Sequence, residues 1–295
     1  MQGLILVNKP KGITSFSAVA RVRYLLHTKR VGHTGTLDPL AEGVLPVLVG
    51  RATSLCAYIT ETEKSYTARV RLGITTDTED ITGTVLCERD VSVTEAELIS
   101  AADSFLGETE QIPPMFSAIK VDGQRLYSLA RQGVEIKREP RQIFIKEITV
   151  REFDGKEFYL DVVCGKGTYI RSLCRDIGEK LGCGATMTEL VRTSTAGFSL
   201  ANSVPLDELT EENVKSHIMP TDKAVENMPF INVTEKQAVR FSNGGALDVG
   251  RTGLKNAVEG MLLRVKYGDV LLGIGQIKAD SITVACVLNN KDGSD

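Results

Sequence analysis

Residues 32–43 read Gly-His-Thr-Gly-Thr-Leu-Asp-Pro-Leu-Ala-Glu-Gly, and residues 44–49 continue as Val-Leu-Pro-Val-Leu-Val. The glycines permit tight or unusual backbone angles, and Pro39 restricts Asp38 to extended conformations. The apolar run that follows is typical of a buried strand. This stretch therefore predicts a loop on a rigid scaffold that presents the Asp38 carboxylate in a fixed position. Because Asp-Pro is also an ordinary turn signal, a purely structural role for Asp38 stays open at this point.

The segment before this loop predicts a strand followed by a helix. Leu4 to Val7 is an apolar run, and Asn-Lys-Pro-Lys-Gly at residues 8–12 forms a turn. We expect Ser15 to cap the N-terminus of the helix. Four apolar side chains of the helix are expected to face the core: Phe16, Val19, Val22 and Leu26.

The segments after the loop alternate between strand and helix patterns. Alternating apolar residues predict strands over 66–72 and 158–164, and a capping box at Thr94 predicts a helix that runs to Leu106. Helical spacing over residues 170–181 places Arg171 and Arg175 one turn apart on one flank. Several connections are too short for crossovers, which favours a mixed, largely antiparallel sheet flanked by helices, so we assign the chain to the α+β class.

A change in composition divides the chain. Residues 200–229 are polar, acidic and punctuated by three prolines, as expected of a boundary zone. Beyond it, apolar runs over 261–266 and 270–276 flank Tyr267-Gly268-Asp269 as a β-hairpin, and residues 281–288 supply another strand. We therefore expect a first domain over residues 1–225 and a small β domain over residues 229–292.

The overall composition narrows the class of protein. The 295 residues are 42% hydrophobic and 25% charged, without a long uncharged apolar run. This argues against disordered and membrane-spanning proteins, and the N-terminus lacks the pattern of a signal peptide. The six cysteines form no Cys-x-x-Cys pair and the three histidines are dispersed. We expect a cytoplasmic protein with neither a disulfide framework nor a metal centre.

Charge is distributed unevenly along the chain. The formal net charge is −3, yet the first 37 residues contain six basic residues and no acidic one. Residues 119–151 contain eight basic and four acidic residues, whereas residues 77–110 contain ten acidic residues and one arginine. The two basic segments can hold a polyanion such as RNA if folding brings them to one face. Charge counts alone leave an ordinary solvated surface as an equally good interpretation.

Other chemistry at the loop finds little support in the residues. His33, Asp38 and a threonine hydroxyl would together suggest a hydrolase, but no Gly-x-Ser-x-Gly motif occurs. A lone loop histidine is more often a hydrogen-bonding turn residue than a base. The glycine spacing matches neither a dinucleotide-binding fingerprint nor a Walker loop, so we expect no nucleotide cofactor.

Several short motifs occur along the chain in one order. They are Asn8-Lys9-Pro10-Lys11-Gly12 with Thr14-Ser15, Gly32 to Pro39, Lys64-Ser65-Tyr66-Thr67-Ala68, Pro113 to Ala118, Gly167 to Leu173, and Leu190-Val191-Arg192-Thr193. In these motifs the sequence resembles the TruB family of bacterial tRNA pseudouridine synthases, which isomerise uridine 55 in the TΨC loop. Each motif alone is weak, but their number and order make coincidence implausible.

The resemblance implies an architecture and a set of partners. It implies a pseudouridine synthase core over residues 1–225, with a basic insertion at about 110–145 that grips RNA. The small β domain over residues 229–292 matches the position of a barrel-like, RNA-binding PUA domain. The resemblance further implies a reaction without a cofactor on the T arm of tRNA, carried out by a monomer that needs no membrane, guide RNA or obligate protein partner.

The resemblance also assigns roles to residues of the site. Asp38 would be the catalytic aspartate that acts at the ribose C1′, Arg171 its ion-pair partner, and Tyr66 the ring that stacks on the flipped uracil and has a candidate role in removing the C5 proton. Tyr169 and Leu190 would form the pocket wall, and His33 would fill the space that the flipped nucleotide vacates. Lys9 and Lys11 would contact phosphates or position the pocket. Candidate RNA contacts in the insertion are Lys120, Arg125, Arg131 and Arg141.

Elementary chemistry is compatible with the role that the resemblance gives to Asp38. Cleavage of a glycosidic bond builds positive character on the sugar, so an ionised carboxylate beside C1′ is suitable as a nucleophile or as a stabilising charge. The residues leave open whether Asp38 attacks covalently or assists elimination. Pairing with Arg171 would favour the charged carboxylate in a site that the bound base desolvates.

Two positions depart from the usual family pattern, and three other functions stay open. Gly165 stands where serine is common and Ser128 where an acidic residue is common, which puts local loop geometry in doubt. The alternatives are a guide-dependent synthase in an RNA–protein particle, a non-catalytic RNA chaperone, and a base-releasing glycosylase that needs an activated water. The bacterial-type motifs, and a chain that begins almost at its first strand, favour a stand-alone enzyme.

Overall fold

The computed structural model describes residues 1–59, 63–121 and 123–288. Its α-helices are α1 (Ser15–Leu25), α2 (Cys56–Ile59), α3 (Glu95–Asp103), α4 (Leu126–Ala130), α5 (Ile170–Lys180) and α6 (Glu235–Ser242). Short 3-10 helices occupy Gly50–Leu55, Leu200–Asn202, Leu206–Glu208, Val214–His217, Thr221–Val225 and Val249–Arg251. Within the described ranges, no helix has the length and apolar character needed to cross a membrane.

Strands make up most of the regular structure. The strands of the first part of the chain are β1 (Gly3–Lys9), β2 (Val31–His33), β3 (Glu42–Val49), β4 (Lys64–Leu72), β5 (Ile74–Thr76), β6 (Val85–Glu88), β7 (Gly107–Gln111), β8 (Lys120–Val121), β9 (Gln124–Arg125), β10 (Arg141–Arg151), β11 (Glu157–Cys164), β12 (Ala185–Thr195), β13 (Phe198–Ser199) and β14 (Val204–Pro205). Those of the last part are β15 (Phe230–Asn232), β16 (Leu247–Asp248), β17 (Leu262–Tyr267), β18 (Val270–Lys278) and β19 (Ser281–Val287).

One large sheet forms the scaffold of the molecule. Its strand order is β14-β1-β3-β12-β4-β11-β10-β7, with β2 paired to β3 and β13 paired to β12. The pairs β1–β14 and β3–β12 are parallel, and the other pairs in this sheet are antiparallel. The prediction of a mixed, largely antiparallel sheet flanked by helices is therefore confirmed.

The burial of the strands follows their hydrophobic patterns. β1 and β3 are buried along almost their whole length, as continuous apolar runs should be, whereas β4 and β11 bury alternate residues. Helix α5 packs Leu173 and Ile177 onto the buried faces of β4, β11 and β12. Helix α1 packs Val19 and Val22 against β1 and β3. The Asp38 loop thus joins β2 to β3, a buried interior strand of the sheet.

Helix α1 differs in two respects from the sequence prediction. Thr14, not Ser15, is the N-cap, and its hydroxyl accepts the Ser17 amide hydrogen bond. Phe16 is 66% exposed, so the expectation that it faces the core was wrong. Helix α1 buries the face that carries Ser15, Ala18, Val19, Val22 and Leu25, and Phe16 lies outside this face. Ser15 takes the buried position beside the Asp38 loop.

Two other helices begin where the sequence indicated. Thr94 and Glu97 form the predicted capping box of α3, but the helix ends at Asp103 and not at Leu106. Helix α5 begins directly after Tyr169, which is its N-cap residue, and carries Arg171 and Arg175 on neighbouring turns. The position of α5 fixes both arginines relative to the centre of the sheet.

The last part of the chain forms a separate sheet of five described strands, in the order β15-β17-β18-β19-β16. This half-barrel fits the PUA-like domain expected at this position. It packs on the large sheet through an apolar cluster in which Leu271 and Ile274 meet Leu4 and Leu48. The division into domains at residues 225 and 229 stays a prediction, and residues 289–292 of the second range lie outside the described residues.

Candidate active site

The Asp38 loop connects β2 to β3 and is held to α1 and to the turn before it. The Ser15 hydroxyl donates to the Leu37 carbonyl at 3.0 Å and accepts from the Leu37 amide at 2.8 Å. The Gly12 amide donates to the Pro39 carbonyl at 2.7 Å. These bonds fix the backbone on both sides of Asp38, whose side chain stays 37% exposed. The loop therefore presents an accessible carboxylate on a constrained backbone.

The Asp38 carboxylate forms an ion pair with Arg171 of α5. Arg171 Nη2 lies 2.8 Å from Asp38 Oδ2, and the arginine side chain is only 4% exposed. The same guanidinium donates to the carbonyls of Thr78 at 3.0 Å and Phe116 at 2.9 Å. A guanidinium held by three partners has little freedom, so it fixes the position of the carboxylate.

Two acidic residues on the turn between β5 and β6 support this arginine and the next turn of α5. Asp80 Oδ2 lies 3.9 Å from Arg171 Nε. The neighbouring carboxylate of Glu79 accepts from the Ser172 hydroxyl at 2.6 Å and pairs with Arg175. Glu79 adopts a backbone φ of 63°, in the left-handed region that residues other than glycine rarely occupy. The turn is thus shaped to direct both carboxylates at α5.

Tyr66 and Leu190 lie on adjacent strands in the same apolar cluster as Leu37 and Leu40 of the Asp38 loop. Both are buried, and Tyr66 is the cross-strand partner of Arg192. Burial raises the pKa of Tyr66 to about 12, against the influence of Arg192, which lowers it. The ring and the leucine thus form an apolar wall close to the carboxylate.

Tyr169 lies at the start of α5, two residues before Arg171. Its amide donates to Gln111 Oε1 at 2.8 Å, and Gln111 Nε2 donates back to the Tyr169 carbonyl at 3.1 Å. Burial raises the pKa of its phenol, and the nearby charges of Arg141 and Arg171 oppose this shift. The structure therefore places Tyr169 and Arg141 within electrostatic range of the Asp38–Arg171 pair.

His33 is the last residue of β2, and it does not form with Asp38 a histidine–aspartate pair that could act as a general base. Its Nδ1 accepts a hydrogen bond from the Gly35 amide at 3.3 Å. Burial lowers the pKa of the ring, with a smaller contribution from Arg192, so the neutral form is favoured. Among the described residues no hydrogen bond or ion pair joins His33 to Asp38, which removes the geometric basis for the hydrolase interpretation.

Lys9, at the end of β1, has no exposed surface. Its Nζ donates to the carbonyls of Pro10 at 2.8 Å and Ile13 at 2.9 Å. Burial lowers its pKa to about 8, and the carboxylates of Asp38 and Glu42 partly oppose this shift. Direct contact with an RNA phosphate, one of the two predicted roles, does not fit a fully buried amine. The other predicted role, positioning of the pocket, is compatible with these contacts.

The remaining basic candidates lie on the surface. Lys11, Lys120, Arg131 and Arg141 are exposed. Lys120 begins the short hairpin β8–β9 of the insertion, and Arg131 lies over the Tyr127 ring with 5.6 Å from Cζ to the ring centroid. The side chain of Arg125 lies outside the described part of the chain. The start of the insertion borders the pocket directly, because the Phe116 carbonyl binds Arg171.

Two features of the site have no clear signal in the sequence. Asp80 is one of several acids in an acidic segment, and nothing in the pattern separates it from its solvated neighbours. Arg192 occurs in a motif of the family resemblance, but alternation along β12 gives no sign that its guanidinium is buried at the pocket. Both depend on pairing between distant segments, which periodicity does not report.

A cavity of about 880 Å³ lies between the insertion and α5 and is distinct from the pocket around Asp38. Its lining includes Phe116, Glu79 and Arg175, and does not include Asp38 or Tyr66. Within the described ranges, no group of three His, Cys, Asp or Glu side chains is arranged to hold a metal ion. The groups that the structure places at the pocket are the Asp38 carboxylate, the Arg171 guanidinium and the apolar wall of Tyr66 and Leu190.

Family models match most of the chain. Residues 23–170 match the N-terminal domain of the TruB family of pseudouridylate synthases. Residues 171–226 match the C-terminal domain of tRNA pseudouridylate synthase B. The two matched ranges are adjacent and together contain Asp38, Tyr66, Arg171 and Leu190, whereas Lys9 and Lys11 precede them.

Individual relatives agree with these models. The chain is 45% identical over 279 residues to tRNA pseudouridine synthase B of Clostridium kluyveri, covering 94% of this chain and 96% of the relative. It is 44% identical over 289 residues to tRNA pseudouridine synthase B of Clostridium tetani, covering 98% and 100%. Among solved structures, one chain of a Cbf5-Nop10-Gar1 complex aligns with a TM-score of 0.76 at 29% identity, covering 97% of this chain and 84% of the other.

Proposed function

The chain belongs to the TruB family of pseudouridylate synthases, and we propose that it isomerises uridine 55 in the TΨC loop of tRNA to pseudouridine. The observation that carries this proposal is the 2.8 Å ion pair between Asp38 and Arg171 on a constrained loop beside Tyr66. The names of the relatives support a tRNA substrate. The position within tRNA is the finer part of the proposal.

The reaction exchanges one bond of the nucleotide for another. The bond between N1 of uracil and C1′ of ribose breaks, the base turns in the pocket, and a bond forms between C5 and C1′. The C5 proton is lost to solvent and N1 gains a proton, so the product is an isomer of the substrate. Positive character develops at C1′ while the base is detached, and the ionised carboxylate of Asp38 stabilises it, either by covalent attack or as a countercharge.

The other residues of the pocket hold the target in place. The nucleotide must leave its stacked loop to reach Asp38, and the Tyr66 ring provides a face on which the extruded uracil stacks. Leu190 and Tyr169 line the pocket, and His33 fills the space that the nucleotide leaves. Because the apolar wall limits water, the detached base is retained for rejoining, which distinguishes a synthase from a glycosylase.

RNA binding is assigned to surfaces outside the pocket. Exposed basic side chains of the insertion, among them Lys120 and Arg131, are available to contact phosphates of the T arm. Lys11 and Arg141 extend this basic surface. The PUA-like sheet supplies a further RNA contact. We also assign the protein to the cytoplasm, which fits a tRNA substrate and six unpaired cysteines, and we assign it a monomeric, stand-alone activity without a cofactor.

The test uses an unmodified tRNA transcript with tritium at C5 of its uridines and the purified chain alone, without added metal or nucleotide. The expected result is release of one tritium per tRNA, and none from a matched transcript with cytidine at position 55. Release from both transcripts would contradict the assignment to position 55.

A guide-dependent activity is the second candidate, because the fold aligns with a chain of the Cbf5-Nop10-Gar1 complex. Tight binding of the transcript without release would favour that function or an RNA chaperone. Release of free uracil in place of tritium exchange would identify a glycosylase.

A further inference from the structure

Arg192 is a buried cation next to the pocket that neither the carboxylate pair nor RNA binding uses. It lies on β12 directly across from Tyr66 on β4, and 1% of its surface is exposed. Within the described residues, no carboxylate lies within ion-pair distance of its guanidinium. Lys9 and His33 are close enough for Arg192 to lower the pKa of each, so the surroundings are themselves basic.

The contacts of Arg192 hold the Asp38 loop at both ends. Its Nε donates to the Val44 carbonyl at 2.9 Å, and its Nη2 donates to the Gly35 carbonyl at 3.2 Å. Gly35 precedes Asp38 by three residues and Val44 follows it by six. One planar guanidinium therefore joins the two arms of the loop, and a flexible ammonium cannot reproduce this fork.

Arg192 also lies beside Tyr66, because the two residues are cross-strand partners between β12 and β4. Directly paired side chains of neighbouring antiparallel strands lie on the same face of the sheet. The arginine also counteracts the effect of burial on the Tyr66 pKa.

A buried charge without an opposite charge destabilises a fold, and an apolar side chain would fill the same space at lower cost. Residues that break this rule are concentrated at functional sites. The three partners of Arg192 belong to the Asp38 loop and to Tyr66, which are the two parts that must be in register with the flipped nucleotide.

We propose that Arg192 is a positioning residue for the isomerisation: it holds both ends of the Asp38 loop in place beside Tyr66, and so sets the rate of the chemical step and not the affinity for RNA. This inference rests on the proposed function. The residue acts through Asp38 and Tyr66, because its own side chain has almost no surface with which to touch the substrate.

The test compares the rate of tritium release by R192K with that by the wild type in a single turnover, in which the enzyme is in saturating excess over tRNA. Filter binding measures the affinity for tRNA. Lysine keeps the charge but loses the fork, so we expect the rate to fall by about 10²-fold, the loss that a misplacement on the order of 1 Å produces. Affinity should be unchanged. The control for the loss of a buried guanidinium is R264K, because Arg264 is a buried arginine of β17 in the second sheet that donates from Nε to the Met228 carbonyl and pairs with Asp222.

A second variant separates positioning from stability. Y66F removes only the hydroxyl of the residue that lies across from Arg192, so Y66F and R192K should be less than additive in rate when combined. If R192K does not fold, Y66F alone must still lower the rate without weakening tRNA binding.

A folded R192K with the wild-type rate would overturn the inference, and so would a rate loss that R264K matches at equal loss of melting temperature. An unchanged rate in Y66F would also overturn it. A wild-type protein that releases no tritium would instead contradict the proposed function, and with it the inference.

Discussion

The basic residues of the pocket and those of the insertion differ in what surrounds them. Arg171 and Arg192 are almost fully buried, and each has several fixed partners. Lys120 and Arg131 are exposed and lie in solvent. A buried cation acts through geometry, because the low dielectric strengthens its interactions and its position cannot relax. An exposed one contributes to binding in proportion to the phosphates it neutralises and is screened by salt.

We therefore expect charges of the same sign to have separate roles in the two regions. Pocket substitutions should change the rate of the chemical step and leave RNA affinity nearly intact. Insertion substitutions should change affinity and its salt dependence and leave the rate at saturation intact.

The largest effect is expected from Asp38→Asn. This change removes the charge at nearly constant size, so turnover should fall by more than about 10³-fold, as for other essential catalytic groups. Transcript binding should be unaffected, because the loop is held by backbone bonds to Ser15 and Gly12. Single-turnover tritium release and filter binding measure the two quantities. Equal loss of both would indicate that Asp38 maintains the loop and has no chemical role.

The next effect is expected from Arg171→Lys. Lysine cannot reach the Asp38 carboxylate and the carbonyls of Thr78 and Phe116 at the same time, so the carboxylate loses its fixed position. Turnover should fall by about 10²-fold. The measurement is the rate at saturating tRNA, with circular dichroism as a check on folding. A folded variant with the wild-type rate would remove this ion pair from the account.

A smaller effect, on affinity alone, is expected when Lys120→Ala and Arg131→Ala are combined. The slope of log affinity against log salt should become shallower by about one unit for each phosphate that the protein no longer neutralises. Turnover at saturation should remain at the wild-type level. Lys156→Ala, which removes an exposed lysine between β10 and β11, is the matched control and should change neither quantity. An unchanged salt slope in the double variant would place RNA binding elsewhere.

The smallest effect concerns Lys9 and the stability of the fold. Burial lowers its pKa to about 8 from an ordinary value of 10.5, so between these pH values the unfolded chain binds more protons than the folded one. The unfolding free energy of the wild type should therefore rise with pH relative to Lys9→Met, with a slope approaching about 1.4 kcal/mol per pH unit above pH 8. Urea unfolding of both proteins from pH 7 to 9.5 measures the difference. Parallel curves would mean that Lys9 titrates at its ordinary value.

The sequence predicted the elements of the fold well because each has a local cause. Alternation defined β4 and β11, and the capping box at Thr94 defined the start of α3. The start of α1 was misplaced by one residue because Thr14 and Ser15 are both good capping residues, and only the tertiary bond to Leu37 directs Ser15 inward. Phe16 is exposed because the buried face of α1 is centred on Ser15, Val19 and Val22.

The site was less predictable than the fold. Asp38 and Arg171 were paired through the family resemblance, and their contact follows from the packing of α5 against a loop far away in the sequence. The burial of Lys9 and Arg192 had no local signal, because a lysine or arginine at a strand position is ordinarily exposed. Long-range pairing, which no local pattern encodes, decides whether such a residue binds RNA or shapes a pocket.

We expect the pocket to determine the rate of the chemical step and the insertion to determine the affinity for RNA. The most direct test measures tritium release and transcript affinity side by side for Asp38→Asn and for the Lys120→Ala, Arg131→Ala double variant. We predict that Asp38→Asn binds like the wild type and releases no tritium, while the double variant binds more weakly and reaches the wild-type rate at saturation. Proportional loss of both quantities in both variants would contradict the account.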